Sequence, residues 1–215
     1  MNRTRIIIAD DHAIVREGLK RVVSAGGEFE VVGEAGDGDG VMRLVRELDF
    51  DVLVQDLSMP GRSGMELIKL VKAEKPRLRI LVLSMHQEVQ YAVRAIKSGA
   101  SGYLTKESAP ELLEQALRKI AAGGAYISAD VAEQLALGAM PGSTAAPHET
   151  LTDREFEVFR MLVAGTSVTD IAGKLHLSAK TVSTHKSNLM QKLGVPSAAD
   201  LVRYSIRHGL SGAER

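Results

Sequence analysis

The chain has 215 residues, 45% hydrophobic and 25% charged, the size and composition of one or two globular domains. Its 27 Lys+Arg balance 27 Asp+Glu, so the whole molecule lacks the basic field that would itself announce a nucleic-acid binder, and charge must be read by segment. Cysteine is absent and no run of 18 apolar residues occurs, which excludes disulfides, thiolate metal sites and cysteine nucleophiles and leads to the expectation of a cytoplasmic protein with no membrane partner.

Short β-rich runs recur at 5–9, 29–35, 51–55, 79–84 and 102–105, with helical patterns between them. A strand followed by a helix, five times over, predicts an α/β domain with a doubly wound parallel sheet over residues 1–122. A short helical pattern ends at Leu137, and the Gly-, Ala- and Pro-rich stretch 138–147 reads as a flexible linker, so 123–149 is assigned to a linker with a short helix. Beyond it, helix-start signals at Thr152 with Glu155, Ser167 with Asp170 and Ser197 with Asp200, and a further start near Ser178, predict four helices and no strand within 150–215. Leu151 and Phe156 are placed as a hydrophobic staple on the first of these. Residues 148–215 hold nine basic and seven acidic residues, +2, against 18 and 20, −2, for 1–147. The stretch 171–199 has no acid but contains Lys174, Lys180, Lys186 and Lys192, which predicts a local cationic surface.

Ligands of open α/β sheets sit beyond the carboxyl ends of the strands, where the winding reverses. Asp10 and Asp11 end the first strand and Asp56 the third, neighbours in a 2-1-3-4-5 order, so three carboxylates converge. Such a cluster repels itself unless a cation joins it, and Mg²⁺ suits few carboxylates together with phosphate oxygens. The Ser84 hydroxyl and the Lys106 ammonium arrive from the next two strand ends. Together they suit a phosphoryl group, with Asp56 as the nucleophile that accepts it. Each residue alone has a plain structural explanation, a helix cap, a solvated charge or a strand-end hydroxyl; it is their coincidence at four strand ends that points to chemistry. The glycines at 33, 36, 38 and 40 do not have phosphate-loop spacing and are flanked by acids, so a plain loop is expected there.

The segments Ile8-Ala9-Asp10-Asp11-His12, Gln55-Asp56-Leu57-Ser58-Met59-Pro60-Gly61, Leu83-Ser84 and Gly102-Tyr103-Leu104-Thr105-Lys106 closely resemble the receiver domain of two-component response regulators, a flavodoxin-like (βα)5 fold. The resemblance implies phosphorylation of Asp56 by a sensor histidine kinase, and Mg²⁺ held by Asp10 or Asp11, Asp56 and the backbone carbonyl of Ser58. It also implies that Ser84 and Tyr103 form a switch pair: Ser84 moves toward the phosphoryl oxygens and Tyr103 turns into the vacated space. Two positions are unusual. Gln55 is polar where such strands are commonly apolar, and His86 stands where side chains can tune attack by water.

In the helical part, with Val182 as zero and about 100° per residue, Leu189 and Leu193 fall within about 20° of it, giving a buried stripe. The opposite face is Lys180, Thr184, Ser187 and Gln191, flanked by Thr181, Ser183 and Asn188. It is small, polar and free of acids, as a helix entering a major groove should be. Helix 167–175, a turn at His176-Leu177 and a helix from Ser178 have helix-turn-helix spacing. The runs Leu151-Thr152-Asp153-Arg154-Glu155, Asp170-Ile171-Ala172, Leu177-Ser178-Ala179-Lys180-Thr181-Val182, His185 and Lys192-Leu193-Gly194-Val195 resemble the LuxR-type DNA-binding domain, so the chain resembles NarL/FixJ-type regulators. That resemblance implies base contacts from Ser183, Thr184 and Ser187, phosphate contacts from Lys180, Thr181 and Lys186, and pairing of two copies through the last helix, 197–208. A lysine is frequent in the family where Ser183 stands. The His185 side chain is expected to serve structure or the DNA backbone.

The expected function is a response regulator whose phosphorylation shifts a pre-existing equilibrium toward a homodimer that binds promoter DNA and controls transcription, by release of the recognition helix from the receiver. It is not expected to be an enzyme. Two other readings compete: a regulator that binds DNA without phosphorylation and uses the receiver to dimerise, and a metal-dependent phosphatase, against which the Asp10-Asp11 pair lacks the Asp-x-Asp arrangement.

Overall fold

A computed structural model describes residues 3–59, 64–85, 89–139 and 146–210. The apolar runs form strands β1 (Thr4–Ala9), β2 (Phe29–Ala35), β3 (Val52–Asp56), β4 (Arg79–Ser84) and β5 (Gly102–Thr105), all parallel, in the order β2-β1-β3-β4-β5. Helices α1 (Ala13–Ala25), α2 (Gly38–Glu47), α3 (Gly64–Glu74), α4 (Val89–Lys97) and α5 (Ala109–Ala121) connect and follow them. Because β1, β3 and β4 are covered on both faces, they are apolar along nearly their whole length rather than alternating. Ile6, Ile8, Val52, Val54, Leu81 and Leu83 share one face and pack with Leu19 and Val23 of α1 and Leu113, Leu117 and Ile120 of α5. By strand alternation Asp56 faces that side and Gln55 the other.

Two features correct the sequence reading. The glycines at 33–40 are not a loop: β2 runs to Ala35, α2 starts at Gly38, and Asp37 caps it by accepting the Gly40 amide at 2.7 Å. Gly33 sits in the strand, where a Cβ would come 3.4 Å from each of Ile7, Leu44 and Leu48. The stretch after α5, assigned to the start of a linker, extends the sheet. The Tyr126 amide donates to the Ser101 carbonyl and the Tyr103 amide to the Tyr126 carbonyl, both at 3.0 Å, covering the free edge of β5. Gly102 permits the approach, since a Cβ there would lie 2.7 Å from Ile120 Cδ1 and 3.0 Å from the Tyr126 carbonyl oxygen.

Contacts divide the chain into two compact units, Met1–Leu135 and Ala136–Arg215, the division falling within α6 (Ala129–Gly138). Most of the 138–147 stretch read as flexible, residues 140–145, lies outside the described residues. The second unit holds a 3-10 turn (Pro147–Thr150), α7 (Asp153–Val163), α8 (Val168–Lys174), α9 (Ala179–Leu193) and α10 (Ala198–Arg207). Thr152 caps α7 in a reciprocal box with Glu155, and Leu151 and Phe156 are both buried as the staple requires. At the other two starts the Asp carboxylate instead accepts the capping hydroxyl, Ser167 to Asp170 at 2.6 Å and Ser197 to Asp200 at 2.5 Å. The α8–α9 turn uses His176 at φ 53°, and Gly194 at φ 66° ends α9.

Candidate functional site

The carboxyl ends of β1, β3, β4 and the segment after β5 bring Asp10, Asp56, Ser84 and Lys106 together. Asp10 and Asp56 are almost wholly buried, at 0% and 1% exposure. Lys106 Nζ lies between them, 2.6 Å from Asp10 Oδ2 and 2.9 Å from Asp56 Oδ2. The Asp56 contact is a well-directed hydrogen bond, whereas Asp10 Oδ2, though close, receives no aligned hydrogen bond. Asp56 Oδ1 accepts the Ser58 amide at 3.2 Å, and Asp10 Oδ1 accepts the His12 amide at 2.8 Å. Asp11 is more exposed and pairs with His12 Nδ1 at 2.8 Å.

Burial pushes the Asp56 carboxyl up, and the charge of Asp10 adds to this, while Lys106 and the Ser58 amide pull it down; the net direction is upward. For Lys106 burial acts downward, but Asp10 and Asp56 together outweigh it and the ammonium is held charged to higher pH. At Lys106 the two acids outweigh burial and the lysine keeps its proton; at Asp56 burial, with Asp10 adding, outweighs the one shared cation. Asp10, Asp11, His12 and Asp56 offer atoms within 4.8 Å of one another. Oxygen donors, a deficit of positive charge and a buried Asp10 Oδ2 whose ion pair with Lys106 carries no aligned hydrogen bond fit a small divalent cation such as Mg²⁺. The residue overlooked in the sequence is His12, whose only signal was its place directly after the two aspartates.

Ser84 is fully buried and hydrogen-bonded to the Tyr103 hydroxyl. Burial, with the Asp56 charge adding, raises the Tyr103 phenol to about 12 despite that hydrogen bond. The inward position that the sequence reading reserves for the phosphorylated state is thus already occupied by a buried Tyr103. Gln55 is accommodated on the opposite face by donating from Nε2 to the Gly64 carbonyl at 3.2 Å, with its Oε1 left unbonded. His86, Pro60 and Gly61 lie outside the described residues.

In α9, Val182, Leu189 and Leu193 are buried, and Lys180, Thr181, Ser183, Thr184, Ser187, Asn188 and Gln191 are exposed; Lys186 and His185 are half-buried. Ser178 caps the helix, accepting the Thr181 amide at 3.0 Å. Thr184 and Ser187 donate their hydroxyls to the Lys180 and Ser183 carbonyls, both at 3.1 Å. The predicted cationic surface loses one member: Lys192 Nζ is 2.6 Å from Glu155 Oε2, tying α9 to the capping box of α7. Lys174, Lys180 and Lys186 have no such carboxylate among the described residues. On α10, Leu201, Tyr204 and Ser205 face inward, while Val202 and Ile206, one turn apart, are exposed.

Residues 6–118 match the model of the response regulator receiver domain, and residues 149–205 that of the luxR family of bacterial regulatory proteins. Response regulator UvrY of Escherichia coli K12 is 34% identical over 210 residues, spanning 97% of this chain and 96% of that one. A structure of the RcsB response regulator of Salmonella typhimurium is 33% identical, with a TM-score of 0.71, over 98% of this chain and all of that one. RcsB bound to promoter DNA in the presence of the phosphomimetic BeF3⁻ superimposes with a TM-score of 0.67 at 34% identity, over 94% of this chain and 98% of that one. No helix among the described residues is long and apolar enough to cross a membrane.

Proposed function

The chain belongs to the DNA-binding response regulators that join a receiver to a LuxR-family helix-turn-helix, and from that premise we propose that phosphorylation of Asp56 by a sensor histidine kinase drives its dimerisation and promoter binding. The observation that carries the reading is the Asp56 carboxylate, buried at a strand end with Lys106 on one oxygen and the Ser58 amide on the other. An Asp56 oxygen forms a bond to phosphorus as the phosphorus–nitrogen bond to the kinase histidine breaks, its electron pair staying on the imidazole, which takes up a proton. Lys106 is in place to receive a phosphoryl oxygen, and the Ser84 hydroxyl a second. Asp10, Asp11, Asp56 and the Ser58 carbonyl would hold Mg²⁺, which when bound neutralises charge between the carboxylates and the incoming phosphoryl group.

With Tyr103 already inward, the switch is an exchange of partner at Ser84: its hydroxyl leaves the tyrosine for the phosphoryl group. In the second unit, Ser183, Thr184 and Ser187 read bases while Lys180, Thr181 and Lys186 hold phosphates. Their exposure on one acid-free face, apart from the half-buried Lys186, supports this. Val202 and the 63%-exposed Ile206 supply the face through which α10 pairs two copies. The test is binding of a fragment of the protein's own promoter region, with and without Mg²⁺ and a small phosphodonor, for wild type and Asp56→Asn. Enhancement in wild type alone is expected; equal binding in all four conditions would replace the switch with a constitutive DNA binder.

A further inference from the structure

At the amino-terminal edge of the sheet, the end away from Asp56, a recess of about 760 Å³ opens between the start of β1, the turn into β3 and the turn into β4. Its lining has five cations, Arg3, Arg5, Lys75, Arg77 and Arg79, and three acids, Asp49, Asp51 and Glu74. The acids are already engaged. Glu74 pairs with Arg46 at 3.2 Å, Asp49 with Lys75 at 3.4 Å, and Asp51 accepts the Arg5 backbone amide at 2.8 Å. That leaves the guanidiniums of Arg3, Arg5, Arg77 and Arg79 with no carboxylate partner among the described residues, in a molecule whose net charge is zero. Phe50 stands half-buried in the same recess, with Lys75 Nζ 5.5 Å from its ring centre. Lys72 Nζ donates to the carbonyls of Pro76 and Leu78 at 2.7 and 2.9 Å, fixing the turn that presents Arg77 and Arg79. Burial, and then the charge of Arg79, lower the Lys72 ammonium.

We propose that this recess binds a nucleoside polyphosphate, the arginines taking the phosphates and Phe50 the base. Guanidinium forks match phosphate oxygens bidentately, and a concave lining of five cations against three acids, a net +2, concentrates anions. Four unpaired forks exceed what a single phosphate can occupy, and the recess is of the size that accepts a nucleotide-sized ligand. An aromatic ring beside phosphate-binding cations supplies the stacking surface that inorganic anions do not use. Nothing in this site depends on Asp56 or on α9.

The test is calorimetric titration of the full chain with ATP and with inorganic tripolyphosphate, in EDTA so that the acidic site takes no part. Wild type should bind both saturably and ATP more tightly. The exposed pair Arg3→Gln/Arg77→Gln should weaken both at least tenfold, with circular dichroism unchanged. Phe50→Leu should weaken ATP several-fold and leave tripolyphosphate as in wild type. Lys180→Gln/Lys186→Gln, on the DNA-binding helix, should change neither. Absence of saturable ATP binding at millimolar concentration would overturn the proposal. So would loss of binding in the lysine pair with retention in the arginine pair. Equal affinities for ATP and tripolyphosphate in both wild type and Phe50→Leu would reduce the site to a plain polyanion patch and refute the nucleoside part.

Discussion

Asp56→Asn should make the metal-free protein more stable at neutral pH, although it removes a direct partner of Lys106. Three effects compete at the ionised Asp56. At an effective dielectric of about 20, attraction to Lys106 at 2.9 Å is worth about 6 kcal/mol and repulsion from Asp10 within 4.8 Å about 3–4 kcal/mol. Burying a carboxylate costs several kcal/mol. Burial and repulsion together exceed the attraction and disfavour the ionised form. This agrees in sign with the raised Asp56 carboxyl. A folded-state value above the unfolded one means that this group's contribution is fully present below the ordinary carboxylate range and is lost as pH rises through the raised value. Wild type in EDTA should therefore lose stability across that window relative to Asp56→Asn. Added Mg²⁺ should close the gap from the wild-type side, by about 1.4 kcal/mol at ten times its Kd. The assay is urea unfolding followed by circular dichroism, with hydrogen exchange in β1 and β3 assigning the change to the receiver. If Asp56→Asn is the less stable protein in EDTA, the Lys106 pair outweighs burial and the case for a cation-seeking site fails.

Three further outcomes follow from the same geometry. Lys192→Met should destabilise the second unit by about 1 kcal/mol, because it strips a charge-assisted bond from the nearly buried Glu155. Burial acts to raise the Glu155 carboxyl, but Lys192 and Thr152 outweigh it and lower it, so wild-type stability from this pair should persist above the usual glutamate range and fade as pH falls through the lowered value, a slope shallower in the variant, where only Thr152 remains, when unfolding is followed against pH. Ultraviolet titration should find a late tyrosine step reaching about pH 12, to which Tyr204, also raised by burial, contributes, and Tyr103→Phe should reduce its amplitude by one phenol; an unchanged late amplitude in that variant would show that Tyr103 is not a buried phenol. Lys180→Gln and Lys186→Gln should each lower the salt slope of DNA binding by about 1 without changing sequence preference, read from affinities across a salt series, whereas Thr184→Ala should change preference and leave the slope.

Much of the acidic site was legible because strand ends are set by pattern. An apolar run that stops at Asp10-Asp11, at Asp56 and at Ser84 leaves little freedom in where those side chains emerge. Pairings across distance were not legible. Lys192 meets Glu155 across 37 positions of sequence, and no local signal separates it from Lys180 or Lys186. The pairing of Tyr126 with β5 was hidden for another reason: Gly123-Gly124 reads as a break, and only the close fit at Gly102 shows the chain returning to the sheet. The glycines at 33–40 misled in the opposite way, because a strand under tight packing and a helix start need small residues as much as a loop does. Gln55 gave an accurate warning of a polar side chain in an apolar strand, but its resolution through the Gly64 carbonyl depends on where α3 begins.

The Ser84 hydroxyl has one proton to donate, which bounds what phosphorylation can accomplish through it. A bond between the two neutral hydroxyls of Ser84 and Tyr103 is worth about 0.5–1.5 kcal/mol net, and one from Ser84 to a charged phosphoryl oxygen about 1.5–3. Exchanging the first for the second biases the switch by about 1–2 kcal/mol, a factor of roughly 5 to 30. Moving an equilibrium from 1:99 to 99:1 needs about 5.5 kcal/mol. Ser84 therefore supplies a minority of a full switch, and the remainder must come from elements that feel the same event. Lys106 is one, since a phosphoryl group competes with Asp10 for its ammonium. The edge of β5 is another. The amide of Tyr103 is bonded to Tyr126, so a shift of that residue is passed through the backbone into the segment that leads to α6, with no travel of the aromatic ring required.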